Sequence, residues 1–239
     1  SIQNEINPKI TVIGGGTGNS VLLKGLKKIT KNITTIVAMG DNGGGTGKLR
    51  EDLGMLPPGD IRACMLALSN TEPEMEKLLN HRFQKGELKG QSFGNLFLAA
   101  LNEIIGSFEK AVTKGANLLN ITGKVYPMTT TNVNLVAKME DGKTIIGESE
   151  IPEYAEKQNT YIEKLYVDPE NPKPMDGAID EIMGADIIVI GPGSLYTSII
   201  PNFLVDGITD AVNKSKAKKI YICNVMTQNR LLYTSPSPR

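Results

Sequence analysis

The chain has 239 residues, 40% apolar and 22% charged, enough to bury the core of one large α/β domain or of a domain with an excursion. Its 26 basic and 26 acidic residues cancel and no long basic run exists, which disfavours nucleic acid as the main partner. Nothing resembles a signal peptide or an apolar run of about 18 residues, and the expectation is a cytoplasmic protein with no membrane partner.

Residues 1–8 are polar and read as a frayed start. The first organised stretch is Ile10-Thr11-Val12-Ile13, short, β-branched and flush against Gly14-Gly15-Gly16-Thr17-Gly18. That is a buried strand ending in a tight turn. Val21, Leu22, Leu23, Gly25 and Leu26 then recur with helical spacing. Strand, glycine loop and helix together aim backbone N–H groups at an anion, a phosphate first of all. The spacing departs from the dinucleotide fingerprint, because Asn19 stands where the last glycine belongs, and no Gly-Lys-Ser/Thr closes a Walker A loop.

Ile33 to Met39 is a second strand-like run. It ends in a second glycine loop, Gly40-Asp41-Asn42-Gly43-Gly44-Gly45-Thr46-Gly47-Lys48-Leu49-Arg50. Two such strands side by side make a nucleotide crevice in doubly wound sheets. Asp41 can hold a ribose hydroxyl, ligate Mg²⁺ beside a phosphate, or simply form an Asx turn.

Pro57-Pro58-Gly59-Asp60-Ile61-Arg62 follows. Asp60 reads as the N-cap of a helix over Ile61 to Leu68. Arg62 in the first turn opposes the helix dipole, which makes sense beside an anion or carboxylate, or at a plain surface position. Glu72 to Phe83 reads as an amphipathic helix with His81 toward its polar side. His81 is the chain's single histidine, which excludes most histidine-based metal sites and a Ser-His-Asp triad. Phe93 to Leu101 opens a buried helix. Gly94 and Asn95 at its start suit either close approach of a ligand or tight helix packing. Phe108 to Leu119 is another helix.

Lys124 to Pro127, Val133 to Met139 and Lys143 to Glu148 alternate like strands and read as a meander-like insertion over about 123–167. Ile151 to Gln158 reads as a polar loop, and Tyr161 to Val167 as a short strand. Asp176 to Met183 is helical. Asp186 to Ile190 is a buried parallel strand. It runs into a third loop, Gly191-Pro192-Gly193-Ser194-Leu195-Tyr196-Thr197-Ser198, whose glycines and hydroxyls make a phosphate-sized cradle. Asn202 reads as the cap of a helix over Phe203 to Asn213, and Lys219 to Val225 as a last buried strand. Cys64 and Cys223 both sit in apolar runs and read as buried free thiols. Residues 230–239 have no period and end in proline-serine repeats; they read as a non-native tail on a chain cut just after a strand.

Taken with their order, these motifs resemble the YvcK/CofD-like family, which holds gluconeogenesis factors and 2-phospho-lactate transferases. The resemblance is carried by Gly14 to Gly18, Gly40 to Gly44, Pro57 to Arg62, Ser92-Phe93-Gly94-Asn95-Leu96, Gly191 to Ser198 and Asn224-Val225-Met226-Thr227-Gln228. It is closer on the YvcK side. It implies one Rossmann-like α/β domain over 1–229, a doubly wound, mainly parallel sheet with helices on both faces and a small β insertion. It also implies a cytoplasmic protein that binds UDP-N-acetylglucosamine or a similar UDP-sugar, or NADP, with a role in cell shape and central carbon metabolism. The partner is then a small nucleotide, and homo-oligomers stay open. In that reading phosphates lie on the first and third loops, with Gly14, Gly15, Gly16, Thr17, Gly18, Gly191, Pro192, Gly193, Ser194, Tyr196, Thr197 and Ser198 as contacts. Asp41, Asn42, Gly43, Arg50, Gly94, Asn95 and Asn224 complete the ligand set. The transferase branch implies Mg²⁺ on Asp41, with Asp41, Asp60 and Arg62 as catalytic candidates. Asp41-Asn42 stands where many relatives carry two aspartates, glycines replace serines over 43–47, and the family continues past this chain's end.

Overall fold

In a computed structural model of the protein, residues 7–39 and 53–224 are described below. The second glycine loop, with Asp41, Asn42, Gly43 and Arg50, lies outside them. So do Met226 to Gln228 and the stretch 230–239.

The described chain is built on five parallel strands: β1 (Ile10–Gly14), β2 (Ile33–Val37), β3 (Lys124–Pro127), β7 (Ile187–Ile190) and β8 (Lys218–Tyr221). They lie in the order β3-β2-β1-β7-β8, every pair parallel. All residues of β1 and β2 are buried, as expected of strands covered on both sides. Adjacent threonines of β2 show the two covers. Thr35 Oγ1 accepts from Asn19 Nδ2 on α1 (Gly16–Leu26) at 3.2 Å. Thr34 Oγ1 donates to Glu181 Oε2 on α7 (Ala178–Met183) at 2.9 Å. Neighbouring side chains on a strand point to opposite faces, so helices cover both sides of the sheet.

The intervening chain forms α2 (Gly59–Leu68), α3 (Pro73–Asn80), α4 (Phe93–Ile105) and α5 (Phe108–Leu118). Helix α3 ends at Asn80, short of the expected Phe83, and Arg82 bridges to Ser92 instead. A second, antiparallel sheet has β4 (Asn134–Met139) between β5 (Thr144–Ile146) and β6 (Ile162–Asp168). Lys124–Pro127, read from its alternation as part of the meander, belongs to the main sheet. Its alternation comes from one exposed and two buried positions at the sheet's end.

Two further expectations change. The polar stretch after β5 is a helix, α6 (Glu150–Gln158). Ile151 and Ala155, one turn apart, are both fully buried, and burying the isoleucine alone contributes about 2 kcal/mol. Pro152 falls in the first turn, where proline is tolerated, and Asn159 closes the helix at φ 55°. Strand β8, expected to be buried, is exposed along its length, because it ends the sheet among the described residues. Cys223 just beyond it is exposed too, whereas Cys64 is buried.

Candidate crevice at the carboxyl ends of β1 and β7

From β1 the chain turns one way, through α1 to β2. From β7 it turns the other way, through a π-helical turn (Leu195–Ile199), α8 (Ile200–Phe203) and α9 (Ile208–Lys214) to β8. The loops that leave β1 and β7 therefore diverge, and ligands of open α/β sheets bind in the crevice this opens. The sequence places its crevice between the first two strands. The strand order moves the switch point to β1 and β7, flanked by the first and third loops.

The two loops touch. A Cβ on Gly18 would lie 3.2 Å from Pro192 Cγ, and one on Gly193 would lie 3.1 Å from Gly15 O. Gly16 holds φ +70° and Gly193 φ +158°, backbone that a side chain would strain. Thr17 and Gly18 continue the first turn of α1, which starts inside the glycine run at Gly16.

Asp60 does not cap α2. That helix starts at Gly59 after Pro58 with no side-chain cap. The Asp60 carboxylate reaches across to the first loop, where Oδ2 accepts from Gly16 N at 2.9 Å. A negative charge thus already sits on the N-terminus of α1, where an anion is favoured.

The third loop is tied from behind. Asn202, expected as a helix cap, is fully buried. Its Nδ2 donates to Gly14 O at 3.2 Å and to Ser198 O at 3.0 Å. Asn202 Oδ1 and Asn19 Oδ1 are buried with no hydrogen-bond partner. Thr197 and Ser198 are buried rather than lining an open cradle, while Ser194 and Tyr196 are half-exposed. Asn224 Nδ2 donates to Gly193 O at 2.9 Å, which brings the far end of the described chain to this loop.

Arg62, Gly94 and Asn95 form a separate cluster. Arg62 Nε donates to Asn95 Oδ1 at 3.0 Å and Nη1 to Asn80 Oδ1 at 3.1 Å. Gly94 provides the room: a Cβ there would fall 2.6 Å from Arg62 Cδ and from Leu79 O. Of the two readings of Gly94 and Asn95, close packing is the contact seen among the described residues. Burial first, then the like charge of Arg82, hold the Arg62 guanidinium below its ordinary value, against the opposing pull of Asp60. Burial, with help from the Asp60 charge, pushes the Cys64 thiol well up, so it is an inert core group.

Sequence reasoning gave Asn202 only a capping role and missed Asn80. Their partners lie on other elements, and neither asparagine stands in a motif. Asn19 carried a signal in its place at the final fingerprint position. Its amide donates to Thr35 Oγ1 and, at 3.5 Å, to Cys64 Sγ, joining α1 to β2 and α2.

A sequence model of one protein family, 2-phospho-L-lactate transferase CofD, matches residues 10–233. The chain belongs to the CofD family. Within it, a protein of Thermoanaerobacterium thermosulfurigenes is 59% identical over 221 residues, 92% of this chain and 68% of that protein. The gluconeogenesis factor of Bacillus subtilis is 53% identical over 222 residues, 92% of this chain and 69% of that protein. A relative from Clostridium acetobutylicum is 55% identical, yet this CofD-family chain spans only 49% of it. A crystal structure of a Bacillus halodurans protein superposes with a TM-score of 0.89 at 46% identity, covering 94% of this chain and 71% of that one. The Rossmann-like α/β fold is therefore shared with a solved relative. No helix among the described residues is long and apolar enough to cross a membrane.

Proposed function

We propose that this CofD-family chain binds a phosphate-bearing nucleotide, of the UDP-sugar class, in the crevice between β1 and β7. In this reading it works in the cytoplasm as a regulatory protein of carbon and cell-wall metabolism; the name of its Bacillus subtilis relative, gluconeogenesis factor, supports the carbon-metabolism part. One observation carries the reading: two glycine loops meet at the topological switch point of a parallel sheet. NADP is the other ligand of the same general shape. Gly14 to Gly18 and Gly191 to Ser194 would lie along the phosphates, and Asn224, already on Gly193, would border the sugar or base.

The family's name favours a second reading, transfer of a phospholactyl group from a nucleotide diphosphate donor with Mg²⁺. Such transfer is achieved mainly by positioning and by charge neutralisation. Asp60 at the first loop is an oxygen donor suited to Mg²⁺. Among the described residues no three His, Cys, Asp or Glu side chains converge, so this part of the chain supplies at most part of a metal's ligand set. When bound, Mg²⁺ would neutralise phosphate charge. Arg62 and the N-terminus of α1 would favour the remaining negative charge.

Calorimetric titration with UDP-N-acetylglucosamine, NADP and GDP, each with and without Mg²⁺, separates the readings. Metal-independent binding of the UDP-sugar is expected. Metal-dependent GDP binding would move the assignment to transfer, and no heat from any of them would overturn nucleotide binding by this chain.

A further inference from the structure

Arg62 is a cation built into an odd place. It lies in the first turn of α2, where positive charge opposes the helix dipole. It is half-buried, and both of its hydrogen-bond partners are neutral amide oxygens, Asn95 Oδ1 and Asn80 Oδ1. Among the described residues its Nη2 makes no hydrogen bond and no carboxylate forms a salt bridge with it. Arg82 adds a second positive charge nearby, and the charge of Asp60 offsets burial and Arg82 only in part.

Three helices cooperate to hold this side chain. Asn80 is the last residue of α3. Gly94 leaves the gap through which the Arg62 stem passes. Asn95 is buried, and its backbone N donates to Ser92 Oγ, the cap of α4, at 3.1 Å. Two amides fix one edge of the guanidinium fork and leave donors over. Partly desolvated charge is retained where it is paired or where a counter-ion arrives. An arginine whose orientation is fixed by neutral groups, next to another arginine, is arranged for an anion.

We propose that Arg62 binds a phosphoryl or carboxylate oxygen of the ligand near the start of α2, and that Asn80, Gly94 and Asn95 are its positioning residues. The source of the anion rests on the nucleotide reading above; the anion-binding role of Arg62 does not. It also gives Gly94 and Asn95 a part in recognition without direct ligand contact.

The test compares wild type, Arg62→Gln and Arg62→Lys in two assays: calorimetry with UDP and uridine, and thermal unfolding with and without inorganic pyrophosphate. Arg62→Gln should lose about tenfold or more in UDP affinity through a lost charge-assisted contact. Uridine binding should stay unchanged, and the unfolding midpoint without anion should fall only modestly, as the bonds to Asn95 and Asn80 weaken. Arg62→Lys should recover only part of the UDP affinity, since an ammonium cannot keep the forked geometry. Pyrophosphate should raise the wild-type midpoint and leave that of Arg62→Gln in place. An equal rise in both proteins, or none in wild type, would overturn the assignment, as would a lower Arg62→Gln midpoint with UDP affinity intact. If pyrophosphate discriminates the two proteins while no nucleotide binds, the nucleotide reading falls and the Arg62 assignment stands.

Discussion

Gly16 N donates to the carboxylate of Asp60 at 2.9 Å, joining residues 44 positions apart. This bond links the first turn of α1 to that of α2, at the first glycine loop. It also requires a small residue next door, because a Cβ on Gly15 would lie 3.2 Å from Asp60 Oδ2.

Asp60→Ala should therefore cost stability, by about 2 kcal/mol for a charge-assisted hydrogen bond. Asp60→Asn keeps an acceptor oxygen and should lose about half of that or less. Urea midpoints at constant m value check the difference. The Gly16 amide proton resonance should move in both variants, and equal midpoints for all three proteins would show that the contact is energetically idle.

Asn202 offers a sharper contrast. Its Nδ2 faces the carbonyls of Gly14, Ser198 and, at 3.4 Å, Ile199. Asn202→Ala should cost about 2 kcal/mol. Asn202→Asp, nearly the same size, should cost more, because it buries a charge against carbonyl oxygens. Thermal unfolding of the two variants gives the order, and a milder effect for the aspartate would contradict the donor role.

At Gly94 the added methyl of Gly94→Ala has no room, with Arg62 Cδ and Leu79 O both at 2.6 Å. The expected cost is about 1–3 kcal/mol of overpacking. Since Arg62 must also shift, UDP affinity should fall with it. A variant of wild-type stability would mean that α3 and α4 separate easily.

The pair Lys124–Glu181 governs an acid-sensitive contribution. Lys124 Nζ donates to Glu181 Oε1 at 2.5 Å, and Thr34 donates to Oε2. Burial alone would raise the Glu181 carboxyl, but the bonds from Lys124 and Thr34 and the charges of Lys124 and Lys9 hold it below its usual 4.5. A lowered folded-state value means stability that is present above the unfolded value and lost as pH falls through the folded one. Glu181→Gln should thus lose about 1–2 kcal/mol at neutral pH. Its deficit against wild type should shrink in acid. Urea midpoints across the acid range test this, and a deficit independent of pH would exclude the ionic contribution. Lys124, held above its ordinary value chiefly by the Glu181 hydrogen bond, predicts a second loss at the alkaline end, small because the lysine is half-exposed.

Much of the fold was legible in the chain alone because parallel strands buried on both faces are continuous apolar runs, as in Ile10 to Ile13 and Ile187 to Ile190, and because glycines mark where such strands stop. The same local reasoning found the first and third loops and gave Arg62 the neighbouring anion as one of its two explanations. It failed where identity depends on a distant partner. Glu150 to Gln158 looks polar until β4 supplies a surface for Ile151 and Ala155. Asp60 looks like a cap until α1 brings Gly16 to it.

What the sequence by itself determined is the set of strands and turns, since backbone propensity and apolar period act over a few residues. Tertiary structure decided the strand order, and with it the topological switch point at β1 and β7. It also decided the roles of Asp60, Asn202 and Asn95, because a hydrogen bond between residues 44, 188 or 33 positions apart leaves no trace in local spacing.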